Sequence, residues 1–120
     1  MDGKALRTFC LNLPGTSEDL PFGEDVLAFR VLGKIYALLF LGGSTLRVNL
    51  KCDPHWAIQL RAEHTGITPG YHMNKRLWNT VIQDGSVDDR LLERLIEHSR
   101  ECVLAGCSKS QRDGLLGKSV

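Results

Sequence analysis

The sequence predicts an α+β fold, in which helices pack on an antiparallel β-sheet meander. Two observations lead to this prediction. Three segments rich in Val, Ile, Leu, Phe and Tyr follow one another between residues 25 and 51, and glycines separate them. Helical patterns stand before and after this block, so helices and strands are largely segregated along the chain. At 120 residues the chain is expected to form a single domain that spans residues 1–120.

The first helix is predicted over residues 2–13, where Leu6, Phe9, Cys10 and Leu13 recur at helical spacing. Pro14 and the glycine after it favour an end to this helix. A short strand is then expected within residues 17–22.

Three strands are predicted over residues 25–32, 34–41 and 44–51, with Gly33 and the Gly42-Gly43 pair at the turns between them. Glycine readily adopts the positive φ that tight hairpin turns require, so the strands are expected to run antiparallel. The third strand alternates apolar with polar residues, which predicts one buried face and one polar face.

Asp53 and Pro54 predict the start of a second helix that ends near Glu63. Aspartate caps free amides, and proline at the first helical position removes no needed donor. Residues 66–70 hold two glycines and a proline and are predicted to form a loop. One helical turn is expected over residues 74–78, followed by a fifth strand over residues 78–83.

Ser86 is predicted to cap a long helix that reaches residue 105, with an acid three residues later and an apolar stripe at helical spacing. Gly106 is a suitable end for this helix. A short final helix is predicted over residues 108–116.

The composition indicates a soluble, cytoplasmic monomer, because the longest apolar run, residues 35–41, is too short for a membrane span and the N-terminus does not resemble a signal peptide. The net charge of +1 attracts no polyanion by itself. Residues 47–79, however, carry five bases against two acids, whereas the flanking segments are acidic. This distribution favours an anionic partner.

No catalytic residue, metal ligand set or cofactor site is predicted. The four cysteines form no C-x-x-C pair and are interpreted as reduced, partly buried thiols. Cys52 lies three residues before His55, but the end of a strand followed by the start of a helix does not aim the two together. Nucleophile-elbow, phosphate-loop and dinucleotide fingerprints are absent from the sequence, and the four histidines lack ligand spacing.

The most informative segment is residues 69–81, Pro-Gly-Tyr-His-Met-Asn-Lys-Arg-Leu-Trp-Asn-Thr-Val. This motif resembles the signature of the MmcQ/YjbR family. Two further blocks agree with the resemblance, namely Phe22-Gly23 with the later Phe29-Arg30-Val31, and Leu50-Lys51 with the later Asp53-Pro54. The resemblance extends from Leu6 to Leu104. The family motif usually has histidine before the tryptophan, whereas this chain has Leu77.

The resemblance implies a compact double-wing α+β domain, related in shape to frataxin-like (CyaY-like) proteins. The family is commonly described as DNA-binding, and the resemblance transfers no catalytic residue. The resulting hypothesis is a non-enzymatic DNA-binding protein. Basic groups would neutralise phosphates, aromatic rings would stack on bases and asparagines would contact base edges. The candidate residues are Lys51, Arg61, Tyr71, His72, Asn74, Lys75, Arg76, Trp78 and Asn79.

Two alternatives remain open. The same surface is equally suited to a protein or a small ligand as the partner. Several candidates also have structural interpretations: Trp78 as a core residue, Asn74 as the cap of the following turn and Asn79 as a support for a loop. If the motif is functional, Tyr71 or His72 is expected to be partly exposed and to line the main concavity together with Lys75.

Overall fold

The computed structural model describes residues 1–115, which form four helices and a six-stranded antiparallel sheet. The elements in chain order are α1 (Gly3–Leu11), β1 (Thr16–Asp19), β2 (Val26–Val31), β3 (Lys34–Phe40), β4 (Arg47–Lys51), α2 (Pro54–Glu63), β5 (Ile67–Pro69), β6 (Trp78–Ile82), α3 (Asp89–Ala105) and α4 (Lys109–Leu115). The predicted α+β class is therefore confirmed. The last predicted helical residue, Leu116, lies outside the described residues.

The strands are ordered β1-β2-β3-β4-β6-β5 across the sheet, and every neighbouring pair is antiparallel. The continuous antiparallel sheet predicted for residues 25–51 is confirmed. Strand β5 was not predicted, because glycine and proline at the ends of its segment favoured a loop. It is stabilised by pairing with β6, a contact between segments that local patterns do not reveal.

The hydrophobic core lies between one face of the sheet and the helices. Leu39, Val48 and Val81 stand opposite one another on β3, β4 and β6, and all three are buried. Helix α3 covers this face with Leu92 and Ile96, which belong to the same core cluster. The prediction that this helix packs on one sheet face is confirmed. Side chains alternate between faces, so the opposite face, here called the outer face, carries a different set.

Most of the turns and helix caps are explained by residues close to them in sequence. Leu32 and Gly33 both have positive φ, 52° and 77°, which is the backbone of a two-residue hairpin turn. Asp53 caps α2 by accepting hydrogen bonds from the amides of His55 and Trp56, and Pro54 is the first helical residue. The predicted start of α2 is therefore confirmed.

Several predicted boundaries were wrong, among them the start of β4, which is Arg47 rather than residue 44, and the end of β1, which is Asp19 rather than residue 22. Asp88, rather than Ser86, caps α3 and accepts a hydrogen bond from the Leu91 amide. The Ser86 hydroxyl is instead occupied, because it donates to Asp84 Oδ1 and accepts from the Gly66 amide. Helix α1 ends at Leu11, two residues earlier than predicted. None of the helices in residues 1–115 is both long and apolar enough to cross a membrane.

Candidate ligand site on the outer face of the sheet

The segment between β5 and β6, residues 70–77, forms the motif loop, and it lies over the outer face. Leu38, Asn49 and Thr80 are neighbours on adjacent strands of this face. Asn49 Nδ2 donates to the Tyr71 carbonyl at 3.0 Å, and the Tyr71 amide donates to Thr80 Oγ1 at 2.8 Å. Thr80 Oγ1 in turn donates to Asn49 Oδ1 at 2.6 Å. Two buried side chains therefore hold both backbone polar groups of Tyr71.

This closed set of hydrogen bonds, here called the Asn49–Thr80 clamp, explains two polar residues in an otherwise apolar region. Asn49 is 1% exposed and Thr80 is 4% exposed. Buried polar groups are costly unless they are paired, and here each of them is paired. The clamp thus positions the motif loop at the point where Tyr71 leaves the sheet.

The rest of the motif loop is shaped by its own backbone. A Cβ on Gly70 would lie 2.8 Å from Trp78 Cβ and 2.9 Å from the Trp78 carbonyl, so the loop requires glycine there. Asn74 Oδ1 accepts from the amides of Arg76 and Leu77, and therefore caps the turn as the structural interpretation proposed. His72 has a φ of 58°, an uncommon conformation for a residue other than glycine.

Arg61 of α2 supports the motif loop from the helix side. Its Nε donates to Asn79 Oδ1 at 2.7 Å, and its Nη2 donates to the carbonyls of Lys75 and Trp78. Asn79 is buried and Trp78 is half-buried. Arg61, Asn79 and Trp78 therefore form the base of the loop. Asn79 supports the loop as its structural interpretation proposed, whereas Trp78 is half-buried and is not part of the core cluster of residues 1–115.

The motif loop and the sheet enclose an open cavity of about 230 Å³. Its walls are almost wholly apolar, and the polar groups of Asn49 are engaged in the clamp. The cavity is lined by Phe22, Val26, Leu38, Phe40, Asn49, Tyr71, His72 and Met73. Tyr71 is 52% exposed and Phe22 is 66% exposed, so two aromatic rings at this site face solvent.

Arg47 lies at the rim of the cavity. Phe40 and Arg47 are directly opposite on β3 and β4, and the Arg47 Cζ lies 4.2 Å from the centroid of the Phe40 ring. The same Cζ is 5.8 Å from the Tyr71 ring, and the His72 ring lies 3.9 Å from the Tyr71 ring. Strand register places this cation over the Phe40 ring, and the fold of the motif loop brings the Tyr71 ring to it.

The structure brings some of the predicted site residues together and separates others. Tyr71 and His72 are exposed and line the cavity, as expected. Lys75 does not line it, so that part of the expectation was wrong. Its Nζ donates to the Gly70 carbonyl at 3.0 Å. Arg61 and Arg76 border a separate depression beside Ile58. Lys51 is half-buried at the end of β4.

Sequence patterns missed most of the cavity wall. Phe40, Arg47 and Asn49 join the motif only through strand pairing and the fold of the loop. Phe22 belongs to a block that carries the family resemblance, and this was the one available signal for it.

The cysteines are not poised as nucleophiles. Burial raises the pKa of Cys52 to about 12, and burial likewise raises the pKa of Cys10 to about 12. A thiol with such a pKa is protonated near neutral pH and is a poor nucleophile. Within residues 1–115, no three His, Cys, Asp or Glu side chains are grouped so that they could hold a metal ion.

Comparison with known proteins agrees with the motif. The YjbR family model matches residues 11–102, which include β1 to β6 and most of α3. The chain belongs to the YjbR family. The curated relatives include the uncharacterized protein YbdF of Escherichia coli O157:H7, which is 35% identical over 86% of this chain and 84% of its own length. The uncharacterized protein YjbR of Escherichia coli K12 is 29% identical over 78% of this chain and 80% of its own length.

Solved structures show the same fold. A Deinococcus radiodurans protein with a DUF419 domain superposes with a TM-score of 0.87 at 40% identity, covering 93% of this chain and 86% of that chain. A Pseudomonas syringae protein superposes with a TM-score of 0.73 at 29% identity, covering 85% of this chain and 98% of that chain. The YjbR-family fold therefore applies to nearly the whole described chain.

Proposed function

We propose that this YjbR-family protein is a non-enzymatic binding module that takes a compact ring-bearing small molecule into the outer-face cavity. The observation that carries the proposal is an apolar cavity enclosed between the sheet and the motif loop, which contributes Tyr71, His72 and Met73 to its wall. Its aromatic walls include two solvent-facing rings, Tyr71 and Phe22. Exposed rings around a concavity are typical of ligand sites, whereas isolated exposed apolar residues are ordinary.

The volume limits the size of the ligand. An apolar cavity of about 150 Å³ accommodates benzene, so the space of about 230 Å³ here suits one bicyclic ring. Drug-sized ligands occupy sites of roughly 300 Å³ or more. The proposal is therefore restricted to a single ring system, and affinity for such a fragment is expected in the millimolar range.

The test is a ¹H–¹⁵N NMR titration of the full chain with indole and naphthalene fragments. We expect shifts confined to residues that line the cavity, and their loss in Phe22→Ala. Phe22 is 66% exposed, so its truncation leaves the core intact. Ile58→Ala is the matched control, because Ile58 is similarly exposed at 65% on α2. Shifts scattered over the surface, or equal loss in both variants, would contradict the proposal.

DNA remains the second candidate, and one arrangement favours it. Arg47 and Lys51 belong to the same polar alternation of β4, four residues apart, with the exposed Tyr71 ring near Arg47. A single strand crossing the rim of the cavity would meet a phosphate contact at Arg47 and a stacking surface at Tyr71, whereas the motif loop over the buried Asn49 separates this position from Lys51. The supply of cations is limited, because Arg61 and Lys75 already donate to carbonyls of the motif loop.

Fluorescence anisotropy with labelled single-stranded and duplex DNA, across a salt series, tests this candidate. Within residues 1–115, Arg47, Lys51 and Arg76 are the candidate cations whose side chains are not hydrogen-bonded to the motif loop, and three phosphate contacts would limit the slope of log affinity against log salt to roughly −2.7. We expect Lys51→Glu with Arg76→Glu to abolish any binding by the wild type. No binding at low salt would contradict DNA as the partner, and equal binding by both proteins would show that Lys51 and Arg76 do not contact it. We further propose that the protein acts as a cytoplasmic monomer, which light scattering and cell fractionation can check.

A further inference from the structure

Among residues 1–115, Arg47 is the one charged side chain that lies over rings of the cavity, and its environment is unusual for this sheet. Two other sheet-facing arginines are paired with acids of β1: Arg7 with Glu18, and Arg30 with Asp19. Arg47 is exposed, and within residues 1–115 it has neither a carboxylate within ion-pair distance nor a side-chain hydrogen bond. Its planar fork of donors is therefore free to bind an external acceptor.

The position of this free guanidinium is fixed by the fold. Phe40 and Arg47 pair directly across β3 and β4, and the guanidinium rests on the Phe40 ring at 4.2 Å. Stacking of this kind restricts the long side chain before any ligand arrives, so less conformational entropy is lost on binding. The Tyr71 ring, 5.8 Å away, limits it on the side of the motif loop.

The charge of Arg47 selects among ligand classes. Three aromatic residues, Phe22, Phe40 and Tyr71, line the cavity, and such a group of rings often binds an organic cation. Here the Arg47 guanidinium already occupies a face of Phe40, and it would repel a second cation. A neutral ring would leave its donors unused. An anionic substituent on the ring would satisfy them.

We infer that the natural ligand is an aromatic anion, whose ring occupies the outer-face cavity and whose carboxylate or phosphate is bound by Arg47. This inference rests on the proposed function and extends it to the charge of the ligand. Arg47 would determine the specificity for an anionic ligand. The apolar walls would contribute affinity for any ring of similar size, whatever its charge.

Three probes with one ring system separate charge from shape: indole-3-acetate, indole-3-acetamide and tryptamine, which are anionic, neutral and cationic near pH 7. In ¹H–¹⁵N NMR titrations we expect all shifts to fall on residues lining the cavity. Indole-3-acetate should bind about tenfold more tightly than the amide, as is typical of one charge-assisted hydrogen-bonded contact. Tryptamine should bind most weakly.

The variant Arg47→Gln should bind acid and amide equally, with the affinity for the amide unchanged. Arg94→Gln is the matched control, because Arg94 lies over the Trp56 ring at 5.8 Å, away from the cavity. The control should retain the tenfold preference. The affinity for indole-3-acetate is then compared with the affinity for indol-3-yl phosphate. The tighter of the two identifies the ligand as a carboxylate or a phosphate.

The outcomes separate this inference from the function on which it rests. Equal binding of acid and amide by the wild type, or a preference that survives Arg47→Gln, would overturn the anionic ligand and leave a ring-binding module. Tightest binding of tryptamine would overturn it as well. No shift at the cavity with any of the three probes would contradict both the inference and the proposed function.

Discussion

At Thr80, one buried hydroxyl accepts a hydrogen bond from the Tyr71 amide and donates another to Asn49 Oδ1. This arrangement uses both capacities of the hydroxyl group, so no isosteric apolar residue can replace it. The consequence is that the outer-face cavity depends on a residue that does not touch its interior.

We expect Thr80→Val to lower the free energy of unfolding by about 1–3 kcal/mol, because it leaves the Tyr71 amide and Asn49 without their partner. Thr80→Ser keeps the hydroxyl, so its free energy of unfolding should fall distinctly less than that of Thr80→Val. Urea unfolding measures the stability, and hydrogen exchange at the Tyr71 amide reports the loop directly. Unchanged exchange of that amide in Thr80→Val would show that the clamp does not hold the loop.

His72 combines a left-handed backbone with an exposed ring that lies against the Tyr71 ring at an interplanar angle of 52°. The left-handed conformation costs an L-residue about 1–2 kcal/mol, and glycine avoids this cost. His72→Gly should therefore be more stable than His72→Ala by roughly 1 kcal/mol, since both variants lose the same ring. Urea midpoints at equal m-values give the comparison. The reverse order of stability would mean that strain at residue 72 is relieved in solution.

At the scale of elements, the start of α2 depends on the charged form of Asp53. The amides of Trp56 and His55 donate to its carboxylate and hold the pKa of Asp53 below its usual value. A carboxyl group whose pKa is lowered in the folded state contributes stability above its unfolded pKa of about 3.9. That contribution is lost as the pH falls through the folded pKa, because protonation removes the charge that the helix start favours.

Asp53→Asn retains a capping oxygen but cannot titrate. We expect the wild type to be the more stable at pH 7, and this difference to shrink as the pH falls below about 4. Urea unfolding at pH 7, 5 and 3 checks the trend. Glu24→Gln, in the exposed loop before β2, is the control. A stability difference that stays constant from pH 7 to pH 3 would contradict a role for the Asp53 charge.

At the scale of the whole molecule, Ser99 joins the helical layer to the sheet. It is fully buried on α3, accepts from the Lys51 amide at 2.8 Å and donates to the Tyr36 carbonyl at 2.5 Å. One hydroxyl thus contacts both β3 and β4 from the same position on the helix. This contact determines how α3 lies across the two central strands.

Ser99→Ala should reduce the free energy of unfolding by about 1–3 kcal/mol, because the Lys51 amide loses its acceptor inside the core. Ser110→Ala, at an exposed position on α4, should change stability by less than about 0.5 kcal/mol. Urea unfolding of both variants provides the measurement. Equal stabilities would show that packing, rather than this polar contact, joins the two layers.

The sequence by itself determined the features that depend on near neighbours. Apolar periodicity predicted α1 and α3, apolar segments separated by glycines predicted the three strands of the meander, and Asp53 with Pro54 predicted the start of α2 correctly. Asn74 was foreseen as the cap of its turn. These patterns involve residues close together in sequence, so they can be recognised without knowledge of the rest of the fold. The family motif likewise identified one part of the cavity wall, the part formed by Tyr71, His72 and Met73.

Only the tertiary structure decided which polar and charged side chains are hydrogen-bonded within the protein and which can bind a partner. Arg61 and Lys75, expected as contacts for a partner, donate to carbonyls of the motif loop, whereas Arg47 has no such acceptor within residues 1–115. Ser86 was expected to cap a helix, but its hydroxyl accepts a hydrogen bond from the Gly66 amide instead. Each outcome depends on residues distant in sequence, brought together by strand register and loop conformation. Local patterns carry no information about those pairings, so the proposed ligand site could not be derived before the fold.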